Sequence, residues 1–324
     1  MEYRRLGDTG LKVSVVGLGS YLTIGMSLDD AVGRATVHRA YELGINFFDT
    51  ANAYNNGKAE EALGRDLAEF PRSSVVIASK VFSPMGEGPN DRGLGAKHIF
   101  EQCHCSLKRL NIDYLDLYQC HRPDPDAPLE ETVRALEDLA RQGKIIYWGT
   151  SEWPAWMIAE ANAIADKNHF RPAVSNQPRY SLLYRQPEAE LWQYCRHAGI
   201  GNVVFSPLAH GVLTGKYSPG QPPPEGTRAA DPKQNAVMMN MYWKDEVLEK
   251  ARQFKAIAED MGAKASQLAL AWVLQRPEVS SAIMGSTKVS QVEDNVAAAG
   301  MTIPDDVLAR LDTLFPGPPE TYPI

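Results

Sequence analysis

Cysteine is sparse, at four of 324 residues. Cys103 and Cys105 flank His104 on an amphipathic helical pattern, a poor geometry for a metal. These two, with Cys120 and Cys195, therefore read as free thiols, no metal is expected, and the cytoplasm is the default location. Long apolar runs are missing too: nothing approaches the ~20 residues that span a bilayer. Met1-Glu-Tyr-Arg-Arg5 passes straight into a strand-like pattern with no basic-then-apolar leader, so neither membrane insertion nor a secretory signal is expected. Nor is there a basic excess. Lys and Arg total 33 against 40 Asp and Glu, giving a net charge of −7, which argues against nucleic acid or an anionic membrane surface as partner. Two phosphate-binding motifs fail on inspection. Gly17-Leu-Gly19 begins a dinucleotide fingerprint, but Leu22 occupies its third glycine position. Gly211 to Lys216 is one residue short of a P-loop, and Tyr217 replaces its hydroxyl residue.

What is present is an alternation of strand and helix. The apolar runs Val13–Leu18, Ile45–Phe48, Val75–Ala78, Tyr114–Gln119, Lys144–Trp148, Ala173–Asn176, Asn202–Phe205 and Ser281–Met284 have the continuous character of parallel strands buried on both faces. Between them apolar residues recur at helical spacing, as in Leu129, Val133, Leu136 and Ala140, or Val247, Ala251, Phe254, Ala258 and Met261. Ser27-Leu-Asp-Asp30 reads as a helix start. Eight strands with intervening helices predict an α/β fold, a (β/α)8 TIM barrel, as one domain over 1–324; such barrels take ~250 residues or more. Ser218–Gly226 and the stretch to about Asn240 read as a long functional loop, and the proline-rich Pro316–Ile324 as an irregular arm.

In such a barrel the C-terminal strand ends converge on one mouth. Here they carry Asp49, Ser79-Lys80 and Gln119-Cys-His121, and later Thr150-Ser-Glu152, Asn176-Gln177, Ser206 and Gly285-Ser-Thr287. Taken singly each has a plainer reading: Asp49 as a helix cap, Lys80 as a rim cation, His121 as a structural histidine, Tyr54 as a packing aromatic. Jointly they form a constellation for carbonyl reduction. A tyrosine hydroxyl can protonate the oxygen, but its ordinary pKa is ~10. A neighbouring ammonium is expected to lower it. An aspartate would hold that lysine charged, and a histidine would orient the carbonyl. A barrel lysine could instead form an imine, as in an aldolase, but a paired carboxylate disfavours the neutral amine this needs.

Gly44-Ile-Asn-Phe-Phe-Asp-Thr-Ala-Asn-Ala-Tyr54, Ala78-Ser-Lys80, Leu115-Asp-Leu-Tyr-Gln-Cys-His121 and Trp148-Gly-Thr-Ser151 resemble the aldo-keto reductases, over roughly Tyr3 to Phe315. His121-Arg-Pro-Asp-Pro, Tyr147-Trp-Gly-Thr-Ser151, Ser206-Pro-Leu and Gly211-Val-Leu-Thr-Gly-Lys-Tyr217 are similar to the branch that includes voltage-gated potassium-channel β-subunits and their bacterial and plant relatives. The resemblance implies an NADP-dependent reductase of small aldehydes or ketones. Tyr54 would be the general acid, Lys80 and Asp49 its tuning pair, and His121 the carbonyl-orienting group.

Cofactor positions follow in the same way. Ser151 and Gln177 match the carboxamide-holding positions, with Asp49, Ser20 and Tyr21 beside them. Phe205, Ser206, Pro207 and Leu208 match the pyrophosphate segment, which Gly211 continues. Gly285, Thr287, Gln291, Asp294 and Asn295 match the adenosine end. Lys216 and Arg228 match cations for the 2′-phosphate of NADPH, although alone they would read as solvated loop charges. Two departures stand out. His121 occupies a position where channel β-subunits often carry asparagine, which favours an enzyme. Glu152 puts a carboxylate where asparagine or arginine is usual. The resemblance also implies a ring-like homo-oligomer and, as an alternative function, a redox-sensing partner of a membrane channel or transporter. A tethered blocking segment ahead of the barrel is not expected. The substrate pocket is expected among the loops at Tyr21, Phe82, Trp153 and Tyr217–Arg228.

Overall fold

The run Val13–Leu18 divides at Val15. Tyr3–Arg5 (β1) and Lys12–Ser14 (β2) form an antiparallel hairpin, and Val16–Gly19 (β3) begins a separate sheet. The reason lies in what Leu6 and Val13 cover. Both are fully buried against Phe47, Val76, Ala78, Leu117, Val203 and Ile283, the apolar interior of the barrel. Arg4 Nη1 donates to the Val279 carbonyl oxygen at 2.9 Å, and Ser14 N donates to Asn46 Oδ1 at 2.7 Å. The hairpin thereby stoppers the barrel at the N-terminal ends of its strands.

The computed structural model describes residues 1–319. After β3 come Asp30–Glu42 (α1), Phe47–Asp49 (β4), Lys58–Leu67 (α2), Val76–Val81 (β5), Ala96–Leu110 (α3), Leu115–Cys120 (β6), Leu129–Arg141 (α4) and Ile145–Ser151 (β7). Ala155–Lys167 (α5), Ser175–Gln177 (β8), Leu191–His197 (α6) and Gly201–Val204 (β9) continue the alternation. Ala236–Tyr242 (α7), Asp245–Asp260 (α8) and Ala265–Leu274 (α9) precede Val279–Met284 (β10), which is followed by Val289–Val296 (α10) and Asp305–Leu314 (α11). The parallel strands close in the order β10-β3-β4-β5-β6-β7-β8-β9, the (β/α)8 barrel expected from the alternation.

Two local expectations are corrected. Helix α1 is capped by Asp29, whose carboxylate accepts from Val32 N at 2.9 Å; Ser27 instead donates to the Leu22 carbonyl oxygen. Both are capping residue types, and the loop claims the serine. The stretch 218–240 is not all loop: Arg228–Ala230 forms a 3-10 turn, and α7 is anchored by the buried Met238 and Tyr242. No helix among the described residues is long and apolar enough to cross a membrane. Of the expected C-terminal arm, residues 316–319 are irregular and 320–324 lie outside the described residues.

Candidate active site

Neighbouring strands place the reactive side chains. Asp49 ends β4, Lys80 lies on β5, and His121 directly follows β6. Parallel register sets Asp49 opposite Ala78, and Lys80 opposite Gln119, so the groups rise at one level. Tyr54 comes from the turn after β4, where Asn55, Asn56 and Gly57 all have positive φ, of 49°, 51° and 88°. Asparagine tolerates this region and glycine occupies it freely. Gly57 is needed for a second reason, since a Cβ there would lie 2.5 Å from Arg109 Cδ. Arg109 is held by the fully buried Glu60, at Nε–Oε2 2.6 Å, and Glu60 also accepts from Ser79 Oγ at 2.5 Å.

Lys80 is fully buried and donates to Asp49 Oδ1 at 2.5 Å, the Thr50 carbonyl oxygen at 2.8 Å and Tyr54 Oη at 3.3 Å. Asp49 Oδ2 accepts from Gln177 Nε2 at 2.9 Å and Gln119 Nε2 at 3.4 Å. The Tyr54 ring packs edge-on to His121, with centroids 5.6 Å apart, and against Tyr21 at 5.0 Å.

Electrostatics fixes the protonation states. Burial opposes the charge on Lys80, but Asp49 and Tyr54 outweigh it, and its pKa is raised. It stays an ammonium. Tyr54 departs from expectation: its phenol is raised above its ordinary value, because burial outweighs the lowering influence of Lys80. The hydroxyl is therefore a protonated donor at neutral pH, with the lysine poised to receive a developing phenolate. Burial, then Lys80 and Arg122, hold His121 well below its usual range, so its imidazole is neutral. His121 Nδ1 is buried without a hydrogen-bond partner among the described residues.

Asp49, Tyr54 and His121 open onto a cavity of about 1280 Å³ that also includes Tyr21, Ser151 and Gln177. Residues Phe205 to Leu208 and Gly211 form one wall; Gly285, Thr287, Gln291, Asp294 and Asn295 form another. Ser206 and Gly211, at φ 55° and 93°, fold the 205–211 segment back on itself and turn its backbone toward this space. Asp294 is neutralised by Lys264, whose Nζ lies 2.5 Å away, and Asn295 donates to Met284 Sδ. Gln291 Oε1 accepts from Thr287 N at 2.8 Å.

Lys216 and Arg228 are also on the wall, and neither is ion-paired among the described residues. Burial and mutual repulsion lower the Lys216 pKa, and burial lowers that of Arg228. Two crowded, partly desolvated cations without counter-ions form a ready anion site.

Several expected residues face elsewhere. Ser20 is buried, with its hydroxyl donating to Thr50 Oγ1 at 2.9 Å. Lys80 sits behind Asp49 and Tyr54 rather than on the wall. Glu152 does not line the cavity: at φ 57° its carboxylate turns to accept from Arg179 N at 2.7 Å. Phe82, Trp153 and Tyr217 also lie off this wall; Trp153 is core, and Tyr217 packs on Trp243. Conversely Arg122, Arg179 and His210 line the cavity without having been anticipated. Arg122 and Arg179 each follow a strand-end residue that was singled out, so their positions carried the signal. His210 directly precedes Gly211, which was also singled out, and has a positive φ of 58°.

The model of the Aldo/keto reductase family matches residues 15–315. A protein named "Probable voltage-gated potassium channel subunit beta" from Arabidopsis thaliana is 41% identical, covering 99% of this chain and all of its own length. One of the same name from Oryza sativa subsp. japonica is 42% identical over 92% of this chain and 91% of its own. A "Putative voltage-gated potassium channel subunit beta" from Schizosaccharomyces pombe is 41% identical over 97% and 93%.

Proposed function

As the chain belongs to the aldo/keto reductase family, we propose that it reduces small aldehydes or ketones to alcohols at the expense of NADPH, with Tyr54 as proton donor. One observation carries this reading: Tyr54 and His121 meet at the floor of a large cavity, with Lys80 buried behind them within 3.3 Å of the Tyr54 hydroxyl.

The cavity walls fit a dinucleotide phosphate. Gln177 and Ser151 would hold the nicotinamide end, and the 205–211 segment would run beside the pyrophosphate. Thr287, Gln291 and Asn295 would hold adenosine, and the unpaired Lys216 and Arg228 would hold the 2′-phosphate. When bound, the reduced nicotinamide supplies the hydride. The protein supplies everything else. His121 donates from a neutral ring nitrogen to the substrate oxygen and holds it beside Tyr54 Oη. As negative charge gathers on that oxygen, Tyr54 gives up its proton. The phenolate left behind is stabilised across 3.3 Å by Lys80, which Asp49 keeps charged. Gln177 and Gln119 fix the aspartate in turn.

Nucleotide titration tests the reading. NADPH should quench intrinsic fluorescence at far lower concentration than NADH, and aldehyde-dependent NADPH oxidation should vanish in Tyr54→Phe. Failure of both nucleotides to bind would overturn it. The names of the relatives support a second reading, in which the barrel also docks on a membrane channel. Co-purification with such a partner from detergent extracts, alongside negligible turnover, would favour that role.

A further inference from the structure

Most arginines of this chain are spent on carboxylates, as in Arg39–Glu293, Arg72–Asp116, Arg109–Glu60 and Arg185–Glu188. That is expected where acids outnumber bases. Arg122, Arg179 and Arg228 are exceptions, and all three line the one large cavity. They divide into two groups by what they act on. Arg228 and Arg179 bear on His210, whose pKa burial, and then these two cations, press down to about 4. Arg122 bears instead on His121, in the reactive group.

Arg122 is not a free surface side chain. Its Nη1 donates to the His121 carbonyl oxygen at 2.6 Å, which folds the guanidinium back against the turn that carries the histidine. Among the described residues it makes no other hydrogen bond or ion pair, so Nε and Nη2 are left unspent. The acid nearest in sequence does not take them. Asp124 Oδ2 accepts from Leu94 N at 2.6 Å, and its Oδ1 accepts from Asp126 N at 3.0 Å. Nor does Asp49, which is paired with Lys80. The reactive end of the cavity therefore holds a fixed cation with a planar pair of donors and, among the described residues, no anion paired with it.

We propose that Arg122 is a specificity-determining residue that selects carbonyl substrates carrying an anionic group, a carboxylate or a phosphate monoester, close to the reacting carbon. The proposal rests on the reductase reading and adds the substrate class. The anion would lie on the free edge of the guanidinium while the carbonyl oxygen lies between Tyr54 and His121. Ser83, on the same wall, offers a hydroxyl with no partner among the described side-chain bonds. The hydride and proton steps are unchanged, because Arg122 binds a part of the substrate that does not react.

The test compares para-carboxybenzaldehyde, para-formylphenyl phosphate and the neutral methyl ester of the first, with NADPH, on wild type, Arg122→Met and Arg122→Lys. Wild type is expected to show kcat/KM higher by ~10–100-fold for at least one anion over the ester, the range of one charge-assisted contact. Arg122→Met should erase that preference through KM, lowering kcat/KM for the anion by ~10-fold or more beyond any loss on the ester, and Arg122→Lys should restore part of it. The two anions separate a carboxylate site from a phosphate site. Equal rates on all three aldehydes in wild type would overturn the proposal. So would an equal loss on ester and anion in Arg122→Met, since that is the result if Arg122 serves only to hold His121. If wild type reduces none of them, the reductase reading fails, and benzoate binding by calorimetry decides the site: binding lost in Arg122→Met supports it, and no binding overturns it.

Discussion

In the proposed mechanism Tyr54 and Lys80 divide the acid chemistry between a proton and a charge, and substitution separates them. Tyr54→Phe keeps the ring that packs on His121 and Tyr21, so NADPH affinity should be unchanged while kcat falls ~10²–10⁴-fold. Single-turnover NADPH oxidation beside a binding titration would check both halves. Lys80→Met should cost turnover and also stability, because Asp49 would be left buried without its cation. Loss of turnover with an unchanged denaturant midpoint would contradict this account. Lys216→Ala should weaken NADPH binding by ~10–100-fold and leave NADH binding alone, since NADH lacks the extra phosphate. The pH dependence carries a sign. The Tyr54 phenol is raised, so the reduction rate should stay flat through neutrality and fall only above the ordinary tyrosine value of ~10. A fall centred near neutral pH would show that Lys80 dominates over burial after all.

At the scale of elements, what matters is how closely backbones meet. Gly64 on α2 faces the backbone of Leu110 at the end of α3, where a Cβ would lie 2.4 Å from the carbonyl oxygen. Backbone cannot step aside as a side chain can. Gly64→Ala should therefore cost ~1–3 kcal/mol, read as a lower urea midpoint. Its effect should extend to kcat, because α2 follows directly on the Tyr54 turn and α3 carries Arg109. Leu6→Ala at the far mouth makes a useful contrast. It should cost ~2–5 kcal/mol by opening a cavity in the barrel interior, with KM for NADPH unchanged. The strand runs were legible because parallel strands buried on both faces are continuously apolar. The division of Val13–Leu18 was not, because Val13 and Val16 leave the run apolar on both sides of Val15 and only closure of the barrel sends the two halves to different sheets.

For the whole molecule, three histidines are tuned in the same direction. Burial is the largest cause at His98, His121 and His210, and each binds its proton less well in the folded state than in the unfolded chain. Below the ordinary histidine value of ~6.5 the unfolded state takes up more protons, so stability should fall as pH drops from about 6.5 toward 4. Thermal melts of the His210→Gln variant across that window should show a shallower decline than wild type. An identical slope would mean that His210 is hydrated in solution.

The sequence alone determined the alternation of strand and helix, and with it the barrel and the end at which chemistry collects. Asp49, Lys80 and His121 were readable because a parallel strand that is apolar throughout has only its carboxyl end free to carry a polar group. Only the tertiary structure decided what those groups are. That Tyr54 is held protonated, against the expectation from its lysine neighbour, depends on how much water the closed barrel excludes, which no local pattern encodes. That Glu152 turns away from the cavity depends on one backbone dihedral and on an amide across the strand ends. The counter-ions are likewise a property of the packed molecule: nothing along the chain shows that Arg109 finds Glu60 while Arg122 finds no carboxylate among the described residues. Pairing brings together residues far apart in sequence, and the charge left over after pairing is fixed only when the barrel closes.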